Sequence, residues 1–217
     1  MKHAQLVILS GPSGVGKDTI VKGVMEKMKN VGLSVSYTTR PKRKNNGVWE
    51  QNGVEYWFMD SKEQFEQEVE KGTFLEYALY NGDWYGTSQR YLEELEQQGC
   101  ETIFLTIETN GAAQVKARDP RAVSIFLMPP TPQTLVERLK GRDSEVEKER
   151  KKRLAEGSRE VKRAYAYDYI VVNDDLEKAI NEVICIIRSI HLRTARQLHE
   201  ADRVNRLFME LDNRNNP

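Results

Sequence analysis

The run Ser10-Gly11-Pro12-Ser13-Gly14-Val15-Gly16-Lys17-Asp18-Thr19 holds two glycines and a lysine at G-x-x-x-x-G-K spacing. Apolar Leu6-Val7-Ile8-Leu9 precedes it, and Ile20, Val21, Val24, Met25 and Met28 follow at helical spacing. A strand, a glycine-rich loop and a helix in that order make a phosphate cradle. Gly11, Gly14 and Gly16 let main-chain N–H groups curl around phosphate oxygens with no Cβ in the way. Pro12, Ser13 and Val15 complete the loop. The helix beginning around Asp18 and Thr19 adds the positive end of its dipole. Lys17 supplies a mobile charge for the β- and γ-phosphates of a nucleoside triphosphate. The competing reading, a plain glycine turn, is disfavoured by the lysine and the flanking pattern. Asp18 stands where such loops carry Ser or Thr to reach Mg²⁺, which makes it the candidate metal-side residue.

A second set of charges lies in Thr38-Thr39-Arg40-Pro41-Lys42-Arg43-Lys44-Asn45-Asn46-Gly47. Two readings stand for this loop: a solvated basic segment, or a second anion held by the guanidinium forks of Arg40 and Arg43. Glu76 lies inside the strand Phe74-Leu75-Glu76-Tyr77, where it reads as a carboxylate on an exposed face. Between residues 140 and 163 the chain is intensely charged. Arg138, Arg142, Arg150, Arg153 and Arg159 fall in or beside that stretch, which reads first as a solvated helical pair.

The elements that must position these groups follow from periodicity. Val31-Gly32 is expected to end the first helix, with Leu33–Tyr37 a short strand. Glu55–Met59 alternates as a strand. Ser61-Lys62-Glu63-Gln64 is a capping box, and Gly72 stops its helix. Thr73–Tyr80 and Trp84–Thr87 flank an Asn81-Gly82 hairpin turn. Residues 37–88 thus form a β-rich insertion. A helix is expected from Ser88 to Gln98, a buried strand at Glu101–Ile107, a helix through Val115, a strand at Ala122–Leu127 and a helix opening at Thr131-Pro132. Asp168–Val172 is the last strand. Asn173-Asp174-Asp175 caps a helix expected to run on through Ile190 to the polar tail. Strands alternating with helices imply a parallel sheet with right-handed crossovers, with ligands at its carboxyl edge.

The 217 residues suffice for one domain with a full core. Lys+Arg and Asp+Glu balance at 33 each, so no global charge argues for nucleic acid or a membrane surface. Cys100 and Cys185 stand apart and read as core residues of a reducing compartment. With no signal peptide and no long apolar run, the expectation is a cytoplasmic protein.

Taken in order, GPSGVGK, SYTTRPKR, NGVEYWF, FLEYALYNGDWYGT, TIETNG, ERLKGR and YDYIVVNDD resemble the guanylate kinases, the P-loop nucleoside-monophosphate kinases for GMP. The resemblance covers about residues 4–188. It implies a P-loop core with a parallel sheet flanked by helices, a β-rich GMP-binding insertion (about 37–88) and a helical lid (about 140–163). The chain divides into a kinase-like domain, 1–189, and a C-terminal helical extension, 190–217. The resemblance would place ATP at Gly11–Thr19 and Asn173, with Mg²⁺ as cofactor. Arg40 and Arg43 would clamp the GMP phosphate, with Tyr56 and Tyr85 donating to it. Ser36, Glu76, Thr87 and Glu108 would read guanine, whose N1–H and N2–H₂ suit one carboxylate at Glu76. Lys17, Arg40, Arg138, Arg142 and Arg153 would neutralise the transferring phosphoryl group. The partners implied are ATP and GMP, with dGMP a further acceptor, in a monomer or homodimer.

The chain departs from the family at Asp18, at Thr106 in place of a strand-end acid, at Glu108 in place of a shorter Asp and at Asn110 in place of Gln. It is also longer around 44–50. Asp18 and Thr106 read together as one carboxylate moved from strand to loop. Two other readings remain: a kinase for a sugar phosphate such as ribose 1,5-bisphosphate, and a non-catalytic guanylate-kinase-like binding module.

Overall fold

The computed structural model describes residues 3–45, 47–140, 155 and 157–215. Its central sheet has five parallel strands: β1 (Gln5–Ser10), β2 (Val31–Ser34), β9 (Thr102–Leu105), β10 (Val123–Met128) and β11 (Tyr169–Val172), in the order β11-β10-β1-β9-β2. All six residues of β1 are buried, as expected for a strand covered on both faces. The pleat sorts them: Val7 and Leu9 point to one layer, Leu6 and Ile8 to the other. Helices α1 (Lys17–Lys27) and α6 (Leu176–His191) cover the first layer, where Ile20 and Val24 meet Ile180, Val183 and Ile187. Helices α3 (Gln89–Gln97) and α4 (Thr109–Arg118) cover the second, through Leu92, Leu95, Ala112 and Val115.

The β-rich insertion is a four-stranded sheet in the order β6-β3-β8-β7: β3 (Tyr37–Thr38), β6 (Trp57–Phe58), β7 (Phe74–Tyr80) and β8 (Asp83–Ser88). Between β3 and β6 the chain makes a small hairpin of β4 (Lys44–Asn45) and β5 (Val48–Trp49). Asn81 and Gly82 both take positive φ, 55° and 93°, the geometry a two-residue hairpin needs. Helix α2 (Lys62–Glu70) packs Phe65 against Phe74 and Trp84, ring centroids 4.7 and 5.8 Å apart. Its expected cap is present, with Ser61 Oγ accepting from the Gln64 N–H.

Four expectations are corrected. Helix α1 ends at Lys27, four residues before Val31-Gly32. The reversal falls at Asn30, φ 59°, a residue type that tolerates the left-handed region. Gly32 is inside β2, where a Cβ would meet Cys100 Sγ at 2.9 Å. The strand expected at Leu33–Tyr37 is two strands, because the chain leaves the central sheet after Ser34 and joins the second at Tyr37. The final helix is also two: α6 stops at His191, and α7 (Thr194–Asn215) follows a break at Leu192-Arg193. Leu198, Val204, Leu207, Phe208, Met209 and Leu211 of α7 are exposed. Arg196 ties α7 back to β1, donating to Gln5 Oε1 at 3.0 Å and to the His3 carbonyl at 3.1 Å. Cys185, expected in the core, is exposed, whereas Cys100 is half-buried.

Helix α5 (Pro132–Lys140) leads toward the charged stretch. Of the expected lid, only 140, 155 and 157–163 fall among the described residues, and 157–161 are helical. Gly157 lies against Leu135 and Pro12, so the end of that stretch rests on the phosphate loop. Among the described residues no helix is long and apolar enough to cross a membrane.

Candidate active site

The loop after β1 has the backbone that its glycines allow. Gly11 has φ 150°, and a Cβ there would lie 2.3 Å from the Leu127 carbonyl oxygen. Gly16, φ 103°, is the N-cap of α1 and has no side chain to cap it. The cap residue of α1 therefore offers no side-chain acceptor of its own, as at helix N-termini that take an anion. Lys17 Nζ folds over the loop and donates to the Gly11 carbonyl at 2.6 Å. Two expected residues brace the loop from outside. Asn173 is buried, and its Nδ2 donates to the Val15 carbonyl at 2.8 Å. Arg138 Nη1 donates to the same carbonyl at 3.2 Å and Nη2 to the Asn173 carbonyl at 3.0 Å. Asp18 and Thr19 are exposed at the start of α1, and Ser13 and Gly14 are half-buried. Arg142 and Arg153 lie outside the described residues.

Just after β3, Arg40 is no solvated loop residue: it is 5% exposed. Its Nη2 donates to Glu50 Oε1 at 2.9 Å and Nη1 to the Pro41 carbonyl at 2.8 Å. The ring of Tyr56 lies 5.1 Å from its guanidinium carbon. Arg43 is exposed, three residues on. The Tyr56 and Tyr85 rings meet edge to face at 5.7 Å. Burial pushes the Tyr56 phenol up to about 12, with the nearby Tyr85 and Asp18 adding to it and Arg40 opposing. Asp18 of the phosphate loop is thus close enough to Tyr56 to be felt electrostatically. Burial also raises Tyr85, against the pull of Arg40 and Arg43. Both phenols stay protonated, able to donate.

Deeper in the same layer, Glu76 is 2% exposed, not a surface acid. Thr87 Oγ1 donates to its Oε1 at 2.6 Å. Burial lifts its pKa to about 7; Thr87 opposes that shift and Glu108 adds to it. Glu108 caps α4, accepting from the Gly111 N–H at 3.3 Å, and burial raises its pKa. Ser36, buried, sits where the chain passes from β2 to β3. Glu76, Thr87 and Glu108 come together here, through the Thr87 hydrogen bond and the first turn of α4 at Gly111.

The sequence reasoning missed two residues. Glu50 holds Arg40, and its signal, an acid inside a basic loop, was legible only as length. Gly111 lets Glu76 approach α4: a Cβ there would lie 2.3 Å from Glu76 Oε2. A glycine in the first turn of a helix was its signal. Among the described residues, no three His, Cys, Asp or Glu side chains gather to hold a metal ion.

Residues 3–190 match the family model described as guanylate kinase. The chain is 41% identical over 191 residues to the guanylate kinase of Symbiobacterium thermophilum, covering 88% of each chain. It is 44% identical over 191 residues to that of Oceanobacillus iheyensis, covering 88% of this chain and 90% of the other. Among solved structures, the guanylate kinase from Anaplasma phagocytophilum superposes with a TM-score of 0.70 at 29% identity, covering 90% of both chains. With a glycine-rich loop after β1 and a buried arginine and carboxylate in the β-rich insertion, the chain belongs to the guanylate kinase family.

Proposed function

We propose that the chain transfers the γ-phosphoryl group of ATP to GMP, yielding ADP and GDP, with the residues above in the following roles. Glu76 carries the reading: a buried carboxylate that accepts a short hydrogen bond from the Thr87 hydroxyl. Guanine offers N1–H and N2–H₂ as adjacent donors to such a group. Adenine offers no such pair and would leave the carboxylate buried without its partners, a costly mismatch. Ser36 and Glu108 complete the base site, and Thr87 holds Glu76 in place. Arg40 and Arg43 grip the phosphate, helped by the phenols of Tyr56 and Tyr85. The loop Gly11–Thr19 cradles the donor phosphates, with Lys17 leaving its loop carbonyls for them. Asn173 and Arg138 keep the loop in shape.

The transfer is an in-line displacement: a GMP phosphate oxygen attacks the γ-phosphorus and ADP leaves. No protein nucleophile takes part. The chain brings two anions together, neutralises them and excludes water. Arg138, Arg142 and Arg153 are the groups assigned to the moving phosphoryl.

Mg²⁺ fits this donor set. It prefers oxygen ligands, keeps several waters and needs only one or two protein groups beside the phosphates; Asp18 and Thr19 are exposed beside the loop. When bound it would screen the phosphate charge. Thr106 leaves the strand end without an acid, so Asp18 is assigned that charge. Asp18→Ser should weaken the Mg²⁺ dependence of turnover, and Asp18→Ser with Thr106→Asp should restore it. An unchanged Asp18→Ser enzyme would sink the assignment.

The kinase domain is taken as 1–189 with 190–217 as an extension, working as a monomer or homodimer in the cytoplasm. ADP release measured with GMP, dGMP, AMP, CMP, UMP and ribose 1,5-bisphosphate tests the substrate directly. Turnover of GMP and dGMP alone is expected; preference for the sugar phosphate would replace this function.

A further inference from the structure

Glu50 is a carboxylate buried beside an anion site, where its charge opposes the ligand. It is 9% exposed. Oε1 accepts from Arg40 Nη2 at 2.9 Å, and Oε2 lies 2.9 Å from the same nitrogen. Oε2 also accepts from the main-chain N–H of Arg43 at 2.8 Å. The main-chain N–H of Glu50 returns a bond to the Arg43 carbonyl at 2.9 Å. One side chain therefore fixes a guanidinium and the stretch of backbone that carries the next one. Arg40 is held on its remaining sides as well, by the Pro41 carbonyl and by the rings of Tyr56 and Phe58 at 5.1 and 5.7 Å. Glu50 itself follows directly on β5, so the longer 44–50 segment is what delivers it.

We propose that Glu50 is the positioning residue of the acceptor-phosphate clamp, bracketing Arg40 and the Arg43 backbone so that both guanidinium groups meet one phosphate. The proposal rests on Arg40 and Arg43 being that clamp. Two effects compete. The carboxylate repels the incoming phosphate. Against that, the bracket removes the ordering cost that a long, rotamer-rich arginine otherwise incurs on binding. Burial decides between them. Arg40 is 5% exposed with partners on several sides, so its order is set on folding, before the ligand arrives. Breaking such a buried pair leaves a charge without its partner.

The test compares wild type, E50Q, E50D and R40M by steady-state kinetics and by calorimetric titration with GMP and with guanosine, which lacks the phosphate. Circular dichroism and thermal melts establish which variants are folded. Gln keeps the size of Glu but has one acceptor oxygen, so either Arg40 or the Arg43 N–H loses its partner. E50Q should raise KM for GMP about 10- to 100-fold, the cost of a misplaced binding group. KM for ATP and the affinity for guanosine should stay as in wild type. E50D retains the charge on a shorter arm and should fall between, which keeps the test decisive if E50Q does not fold. GMP binding by E50Q as tight as wild type or tighter, with R40M weakened, would overturn the bracket and leave Glu50 as a charge offset only. Equal losses for GMP and guanosine would overturn it too, by showing a general loosening of the insertion. If R40M itself leaves GMP binding unchanged, the clamp reading fails instead.

Discussion

Burial lifts the Glu76 carboxyl from 4.5 to about 7, so it is an acid that folding has made reluctant to ionise. The folded chain holds that proton more tightly than the unfolded chain does. The stability linked to it is complete below the unfolded value and is lost as pH rises through about 7. Gln is neutral throughout, so Glu76→Gln removes that loss. Thermal and urea unfolding of the ligand-free protein at about pH 8 should find Glu76→Gln more stable than wild type by about 1–3 kcal/mol, a gap that closes toward about pH 5. A variant destabilised at the higher pH would refute the buried-carboxylate argument. For wild type, kcat/KM for GMP reports the free enzyme and should rise as pH increases through about 7, as the form that accepts both guanine donors becomes populated. Lys17 and Arg40 were legible as chemistry in the sequence, through a motif and a spacing, whereas Glu76 was singled out only by the family resemblance of its segment. What was not legible was their depth. A loop arginine and a strand glutamate look exposed until a second layer covers them.

At the scale of elements, helix ends do the positioning. The first turn of α4 carries Glu108 as its cap and Gly111 against Glu76. Gly111→Ala should improve helix propensity by about 1 kcal/mol yet push the Glu76 carboxylate aside. The expected outcome is a KM for GMP raised about 10-fold or more with KM for ATP unchanged. An unchanged KM for GMP would mean that Glu76 has another place to go. Helix α6 starts at Asp175, whose Oδ1 accepts from the Lys178 N–H at 2.7 Å. Asp175→Ala should cost about 1 kcal/mol and lower Tm by about 2–4 °C without altering kinetics. Caps, the Asn81-Gly82 turn and the apolar run of β1 are local signals, and the sequence carried them plainly. The two-residue strand β3 and the break between α6 and α7 are not local. Tyr37-Thr38 is a strand because β6 and β8 lie on either side of it, and a stripe of apolar residues runs across Leu192-Arg193 without marking the interruption.

The whole molecule joins a five-stranded parallel sheet, which carries the glycine-rich loop, to a four-stranded mixed sheet, which carries Glu76. The alternating order of elements made the first sheet foreseeable, including helices on both faces. The order β11-β10-β1-β9-β2 sets the phosphate loop between two covered strands, so the loop is built on the most buried part of the core. Tyr56, which leads into the second sheet, feels Asp18 of the loop among the charges that raise its pKa. On the proposed reading, one buried carboxylate, Glu76, selects which nucleoside monophosphate is phosphorylated. Rates with GMP and AMP at saturating Mg²⁺-ATP, for wild type and Glu76→Gln, test this most directly. Wild type should prefer GMP by about 1,000-fold or more in kcat/KM, and Glu76→Gln should lose most of that ratio through GMP while KM for ATP stays constant. A variant that keeps the wild-type ratio, or a wild type that uses AMP as readily as GMP, would contradict it.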